Sequence, residues 1–283
     1  MALHVNMCRG LNNYIISRIL ARMAQNRSQN TRKTTQTSLT ILDAVNEVDG
    51  GTLTEVAEHT ELAPSTVHTH LRTLENSEYV ICLDGEYHLG MKLFNLGESA
   101  RMRDTRYRFA RQVAAELSEK VSEEVNFSIE EYGRSIVLFD EMRTSGTEEF
   151  QVGRYFHMHS SASGKAMLAE YSKDRVDEIL EHRGLPKHTP HTITDIDELF
   201  GELDRIRSQG YAVNRQEELE GLRAIAMVVH APDGSVFGTL DISGPAYRLP
   251  DNENIAAQLQ PYVTDLETTL KKHEQEPTRR PDG

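Results

Sequence analysis

The sequence predicts an α+β protein of two successive domains, and three observations carry that expectation. Between Ser38 and Leu89, three helical patterns in a row are followed at once by two short strands set around Asp84-Gly85. In the second half, strand-like runs come in antiparallel pairs with helical runs beside them, the pattern of an α+β sheet. At 283 residues the chain is long enough for two domains that each bury a core.

The first helix places Ile41, Leu42, Val45 and Val48 on one face, and Asp49-Gly50-Gly51 stops it, since glycine takes the backbone shapes that a helix end needs. Thr52 is placed to cap a second helix, with Glu55 completing a capping box and Leu53, Val56 and Ala57 inside. A turn through Thr60, Glu61, Leu62 and Ala63 leads to Pro64, well suited to the first turn of a third helix. On that helix Val67, Leu71 and Leu74 point inward. Asp84-Gly85, between YVICL and EYHL, signals a two-residue hairpin. Helices and hairpin in this order make a winged helix-turn-helix.

The outer face of the third helix carries Ser65, His68, Thr69 and Arg72, with Thr66 and Thr73 at its edge. Hydroxyls, an imidazole and a guanidinium bond base edges and phosphates. On an isolated helix such a face reads as merely solvated. With the wing following on cue, the expectation is double-stranded DNA, the helix in a major groove and Asp84-Gly85 toward the adjacent groove or backbone. One winged helix reads a half-site, which implies a dimer on a near-palindromic operator.

Charge runs against this expectation. The net charge is −13, and between Thr37 and Gly97 ten acids face only Arg72 and Lys92, whereas the phosphate contribution to DNA affinity needs cations. A salt-loving host would resolve the conflict, since salt shortens charge repulsion to a few ångströms; arginine outnumbers lysine, as that idea expects. Local basic patches would also compensate. Arg9, Arg18, Arg22, Arg27, Arg32 and Lys33 stud the acid-free first 36 residues, and Arg101, Arg103, Arg106, Arg108 and Arg111 follow the wing. The start reads either as a polar, disordered arm or, if Met23 is the true start, as 22 residues foreign to the protein.

In the second half, Phe109, Val113 and Leu117 make a helical face. Val125 to Ile129 and Ile136 to Phe139 read as strands joined around Gly133. Helices follow over 162–169 and 173–182. Thr194 and Asp197 suggest a capping box for a helix with Ile196, Leu199, Phe200, Leu203 and Ile206 inward, closed by Gly210. Strands over 224–230 and 236–243 pair through Pro232-Asp233-Gly234, and a last helix occupies 252–272.

Two long motifs extend the winged helix: HMHSSASGKAMLA at 157–169 and SQGYAVNRQEELEGLRAIAMVVHAPDGSVFGTLDISGP at 208–245. With the linker helix from Met91 to about Arg106, they make nearly the whole chain resemble the IclR family of transcriptional regulators. The resemblance implies a GAF-like effector domain over 123–273, after a winged helix over 37–97 and linker helices over 98–122; it does not extend to 1–36 and 274–283, which read from composition as a disordered arm and tail. It implies homodimers, often paired into tetramers, and a small-molecule effector. The effector residues it implies are the loop Ser161, Ala162, Ser163 and Gly164, together with Asn214, Ala224, Asp241 and Ser243. A run of small residues ahead of a helix also suits an anion on its own account, although it serves equally as an ordinary cap. Family members that bind small acids often carry Asp at position 214, Cys at 224 and Ser at 241. Asp241 therefore favours a polyhydroxylated ligand, such as a sugar or sugar acid, over a simple keto acid.

No cofactor is expected. His157 and His159 alternate, and His182, His188 and His191 lie downstream, but the spacings match no closed zinc motif. Cys8 and Cys82 lie far apart in dissimilar contexts, which fits a reducing cytoplasm. No apolar run approaches the roughly 18 residues of a membrane span, so no membrane partner is expected. Ser163-Gly164-Lys165 does not match an S-x-x-K nucleophile, and Glu217 and Glu218 are neighbours that would point apart. A regulator is therefore expected rather than an enzyme. The alternative is a ligand-binding scaffold that works through protein contacts without DNA.

Overall fold

The computed structural model describes residues 31–141 and 152–275, and the chain divides into two units, one up to Arg103 and one from Asp104. The arginines at 9–27, the alternative start at Met23 and most of the tail lie outside the described residues.

In the first unit, α1 (Lys33–Glu47), α2 (Leu53–Thr60) and α3 (Pro64–Asn76) surround a small core. Ile41, Val45, Val56, Val67 and Leu71 are buried in it, with Leu42, Val48, Leu53 and Leu74 packed against it. The helix α1 starts at Lys33, eight residues before Ile41, where its apolar pattern begins. Thr52 accepts from Glu55 N while Glu55 bonds Thr52 N at 2.8 Å, so the capping box at α2 is formed. Pro64 opens α3 as expected. The hairpin of β2 (Val80–Leu83) and β3 (Glu86–Leu89) turns at Asp84 and Gly85, both at positive φ. That geometry matches the right-handed strand twist. A two-residue strand β1 (Gly51–Thr52), too short to leave a pattern, adds to β3.

The helix after the wing, α4 (Lys92–Arg101), ends earlier than the linker helix read to about Arg106. The cause is local. Asp104 accepts from Arg106 N at 2.9 Å and pairs with the Arg106 guanidinium, offering the backbone an alternative to the helix.

The second unit is one six-stranded antiparallel sheet in the order β6-β5-β4-β9-β8-β7. Its strands are β4 (Glu124–Glu131), β5 (Arg134–Glu141), β6 (Tyr155–His157), β7 (Ala212–Arg215), β8 (Leu222–His230) and β9 (Val236–Pro245). The sequence reading missed β7 and met β6 only at its end, through the alternation of His157 and His159; both are short edge strands. Side chains alternate across a strand, and here the alternation sorts the sheet. Val125, Phe127, Ile129, Leu240, Ile242, Ile225 and Val213 face α5 (Tyr107–Ser118) and α9 (Asn252–Gln275), making the larger core. The other face meets α6 (Ala162–Glu170), α7 (Lys173–Arg183) and α8 (Ile196–Gln209), whose own core reaches the sheet at Ala212, Ala224 and Ala226.

The cap of α8 corrects one expectation. Asp195, not Thr194, is the N-cap, and it accepts from Glu198 N at 2.9 Å. Both residues have an acid three positions on, and the carboxylate is the stronger acceptor. Ile196 is then the first helical residue and stands 51% exposed rather than inward. Among the described residues, no helix is long and apolar enough to cross a membrane.

Candidate functional site

Two surfaces concern function, one in each unit. On α3, Ser65, His68, Thr69, Arg72 and Thr73 are exposed and Thr66 is half-buried, opposite the buried Val67 and Leu71. Thr69 Oγ1 donates to Ser65 O at 2.9 Å and Thr73 Oγ1 to Thr69 O at 3.0 Å, which leaves their oxygens outward as acceptors. His70, one residue off this face, is bonded to Ser38 Oγ at 2.8 Å and ties α3 to α1. Of the two cations between Thr37 and Gly97, Lys92 is turned to Ser77 O at 2.9 Å and over the Tyr79 ring, while Arg72 stands on the outer face.

In the second unit, a cavity of about 640 Å³ lies between the polar face of the sheet and the start of α6. Register explains its wall. Glu124 opposes Ser243, Ser243 opposes Ala224, and Ala224 opposes Asn214, so these four form one row across four strands. The next row runs through Asp140, Asn126 and Asp241. A bulge in β5 at Leu138, between Val137 and Phe139, pairs Val137 with Ser128. Over these rows sit Ser161, Ala162 and Ser163, with Glu218 and Leu219 from the loop after β7 and Arg154 and Phe156 from the β6 edge.

Asp241 is the centre of the floor. Ser163 Oγ donates to its Oδ1 at 2.7 Å and Asn126 Nδ2 to its Oδ2 at 3.1 Å. Burial pushes its carboxyl from 3.8 up to about 7; those two donors oppose the rise, and Asp140 and Glu124 add to it. Asn126 Nδ2 also reaches Ser243 Oγ at 3.1 Å, but Asn126 Oδ1 is buried with no partner.

Beside the cavity, Ser160 Oγ donates to Glu218. His157, His159 and His188 gather near this bond, with His188 Nε2 3.2 Å from His157 Nδ1 and 3.9 Å from Glu218. Burial lowers the His159 imidazole to about 4, and its Nε2 faces Pro186 O. The sequence had grouped His188 with His182 and His191; the fold groups it with His157 and His159. Among the described residues, no set of three or more His, Cys, Asp or Glu side chains is arranged to hold a metal ion.

Glu217 turns the other way, into an ion pair with the wholly buried Lys165, whose Nζ also donates to Val213 O at 2.8 Å and lies 3.8 Å from Glu202. Burial pushes the Lys165 ammonium down and the Glu217 carboxyl up, while their contact opposes both. The two glutamates do point apart, from a loop rather than a strand.

Of the eight residues named from the sequence for an effector, seven line the cavity: Ser161, Ala162, Ser163, Asn214, Ala224, Asp241 and Ser243. Gly164 does not. Its N–H is taken by the Ser161 side chain, and a Cβ there would lie 2.4 Å from the Met158 backbone, so its smallness serves close packing. Sequence reasoning missed Asn126, Ser128 and Glu124, although polar residues at every second position of an otherwise apolar strand were their signal. It also missed Arg154 and Phe156, which left none.

A winged helix followed by an α+β unit that walls a polar cavity defines a ligand-responsive regulator of transcription. Comparison with known proteins gives the family. The model of the C-terminal domain of the bacterial transcriptional regulator IclR matches residues 104–268, and that of the IclR helix-turn-helix domain matches residues 36–80. The chain belongs to the IclR family of transcriptional regulators. It is 33% identical over 237 residues to the HTH-type transcriptional regulator KdgR of Escherichia coli, covering 82% of this chain and 88% of that protein. It is 30% identical over 218 residues to the probable HTH-type transcriptional regulator ArcR of Halobacterium salinarum, covering 75% and 83%. Among solved structures, it resembles the IclR of Thermotoga maritima, with a TM-score of 0.69 at 24% identity over 85% of this chain and 100% of that one. It also resembles an IclR homologue from Microbacterium hydrocarbonoxydans complexed with 4-hydroxybenzoate, with a TM-score of 0.66 at 24% identity over 83% and 99%.

Proposed function

We propose that the α3 face, Ser65, Thr66, His68, Thr69, Arg72 and Thr73, reads an operator from the major groove, and that the cavity holds the small molecule that governs this binding. The observation that carries the reading is the cavity itself, a polar chamber on one face of a sheet whose other face is hydrocarbon. The Asp84-Gly85 wing lies toward the backbone or adjacent groove. The reading domain spans 37–97 and the effector domain 123–273, joined over 98–122. The effector is a sugar, sugar acid or small organic acid. A homologue of this fold complexed with 4-hydroxybenzoate supports entry of an organic acid, and the buried acceptors around Asp241 support hydroxyl groups. Catalysis has no place in this reading, because Ser163 is engaged by Asp241 and Lys165 by Glu217.

The operator-binding form is a dimer or tetramer on a near-palindromic site. In support, α4 buries none of its residues, and at its start Met91 and Phe94 stand 83% and 67% exposed, apolar surface suited to a second copy. The protein works in the cytoplasm at high salt, where screening reconciles its net charge of −13 with DNA.

A gel shift with DNA from the protein's own upstream region, in molar potassium chloride and with a panel of sugars, sugar acids and carboxylates, tests the reading. A specific shift that one compound strengthens or abolishes is expected. No shift at any salt from a folded protein would favour the scaffold that acts through protein contacts.

A further inference from the structure

The loop of residues 216–221, between β7 and β8, walls one side of the cavity with Glu218 and Leu219. Its sequence, Gln-Glu-Glu-Leu-Glu-Gly, offers a single apolar side chain, Leu219, and that stands 52% exposed. Hydrocarbon therefore does not anchor the loop. Its first residue also carries a cost. Gln216 takes a left-handed backbone with φ +66°, a shape that persists only where the surroundings impose it. Polar contacts impose it here. From the stretch between α7 and α8, Thr189 Oγ1 donates to Gln216 O at 2.7 Å and Thr192 Oγ1 to Glu217 O at 2.6 Å. Glu217 N donates to Asn214 Oδ1 at 2.8 Å, which leaves the Asn214 amide nitrogen for the cavity side. The Glu217 carboxylate meets Lys165 in α6, and the Glu218 carboxylate accepts from Ser160 just ahead of that helix. Two neighbouring glutamates thus hold the loop to both sides of Ser161 to Ser163, the roof of the cavity.

Stability alone does not account for the Lys165–Glu217 pair. Both side chains are buried, and hydrocarbon of similar volume often serves a core as well as such a pair, or better. What hydrocarbon lacks is direction. Lys165 Nζ also donates to Val213 O at 2.8 Å, so one ammonium ties together α6, β7 and the loop. We infer that Lys165 is a positioning residue: through Glu217 it holds the 216–221 loop, and with it Asn214 and Glu218, in the shape that meets a guest, a role that rests on the cavity being the effector site.

The test is the full chain carrying Lys165→Met and Glu217→Leu together, which removes the pair and strands neither charge; Glu202 keeps Arg205 and Arg215. Three measurements are made in molar potassium chloride: urea unfolding, amide hydrogen exchange, and calorimetry with D-glucose, D-gluconate, pyruvate and 4-hydroxybenzoate as probes. The double variant is expected to unfold near the wild-type midpoint and above that of Lys165→Met alone. Its Glu217 and Gly221 amides, bonded to Asn214 and Gln216 side chains, are expected to exchange about tenfold or more faster, with β8 and β9 unchanged. Any probe that binds the wild type is expected to bind the double variant about tenfold or more weakly. Loop amides as slow as in the wild type overturn the inference, and so does a probe that binds both proteins alike. A midpoint as low as that of Lys165→Met, with exchange faster throughout the second unit, overturns it in favour of plain structural support. Faster loop exchange with no heat from any probe on the wild type overturns the effector reading and the role built on it, while the hold of Lys165 on the loop stands.

Discussion

At Asp241 the effect of burial is large enough to test without knowing the effector. Its carboxyl sits at about 7 instead of 3.8, so the folded protein holds a proton that the unfolded chain releases. Asp241's own contribution to the stability of the ligand-free protein therefore falls as pH rises from about 4 to about 7, by up to about 4 kcal/mol. His159 acts in the opposite sense: its imidazole is lowered from 6.5 to about 4, so its contribution is lost as pH falls below about 6.5. Asp241→Asn is expected to stabilise the protein by a few kcal/mol at pH 8 and hardly at all at pH 4, read by urea unfolding; equal stability of both forms at pH 8 would rule this out. On the other surface, Arg72→Ala is expected to cost about 1–3 kcal/mol of operator binding with the fold intact, checked by gel shift beside circular dichroism. Asp241 and Ser243 were legible in the sequence because a two-residue spacing on a strand puts both on one face. Arg154 was not legible, because nothing local to it marks the edge of a sheet.

Among the elements, α6 is the most constrained. Its nine residues include the wholly buried Lys165 and the Gly164 that touches the Met158 backbone. Gly164→Ala forces that contact apart and is expected to cost about 1–3 kcal/mol, measured as a shift in the unfolding midpoint. Lys165→Met leaves Glu217 buried without its cation, while Glu202 keeps Arg205 at 2.7 Å and Arg215 at 3.0 Å, and about 3–5 kcal/mol is the expected cost; a midpoint unchanged by this substitution would show that the pair carries no structural load. Most elements could be read from pattern. Thr52 with Glu55, Pro64, Asp84-Gly85 and Gly210 each mark a boundary by local chemistry that needs no tertiary contact. The failures came where local signals were degenerate or absent. Thr194 and Asp195 offer the same capping spacing, the bond inside Asp104-Thr105-Arg106 competes with a helical pattern, and β6 and β7 are too short to show a period.

For the whole molecule, charge is the property that composition states most plainly. Net −13 with ten acids in the first 61 residues after Gln36 predicts self-repulsion that salt relieves. The unfolding midpoint is expected to rise as potassium chloride increases from about 0.1 M, where the Debye length is about 10 Å, to about 1 M, where it is about 3 Å. A midpoint that is flat or falls across that range would remove the high-salt reading. Overall architecture was legible because two unrelated patterns followed each other in one order; the cavity's depth was not, since it depends on strand register across β4, β9, β8 and β7. That register also divides the second unit's hydrocarbon into two bodies. The α6–α8 layer meets the sheet through the alanines of β7 and β8, and α7 also reaches the β4–β5 turn, where Arg175 pairs with Glu130 and Arg183 donates to Tyr132 O. The roof of the chamber is therefore pinned on both sides, with the bond from Ser163 to Asp241 between them. A guest has to fit a vault that is already braced, so its outline, more than its strength of attraction, decides what can enter.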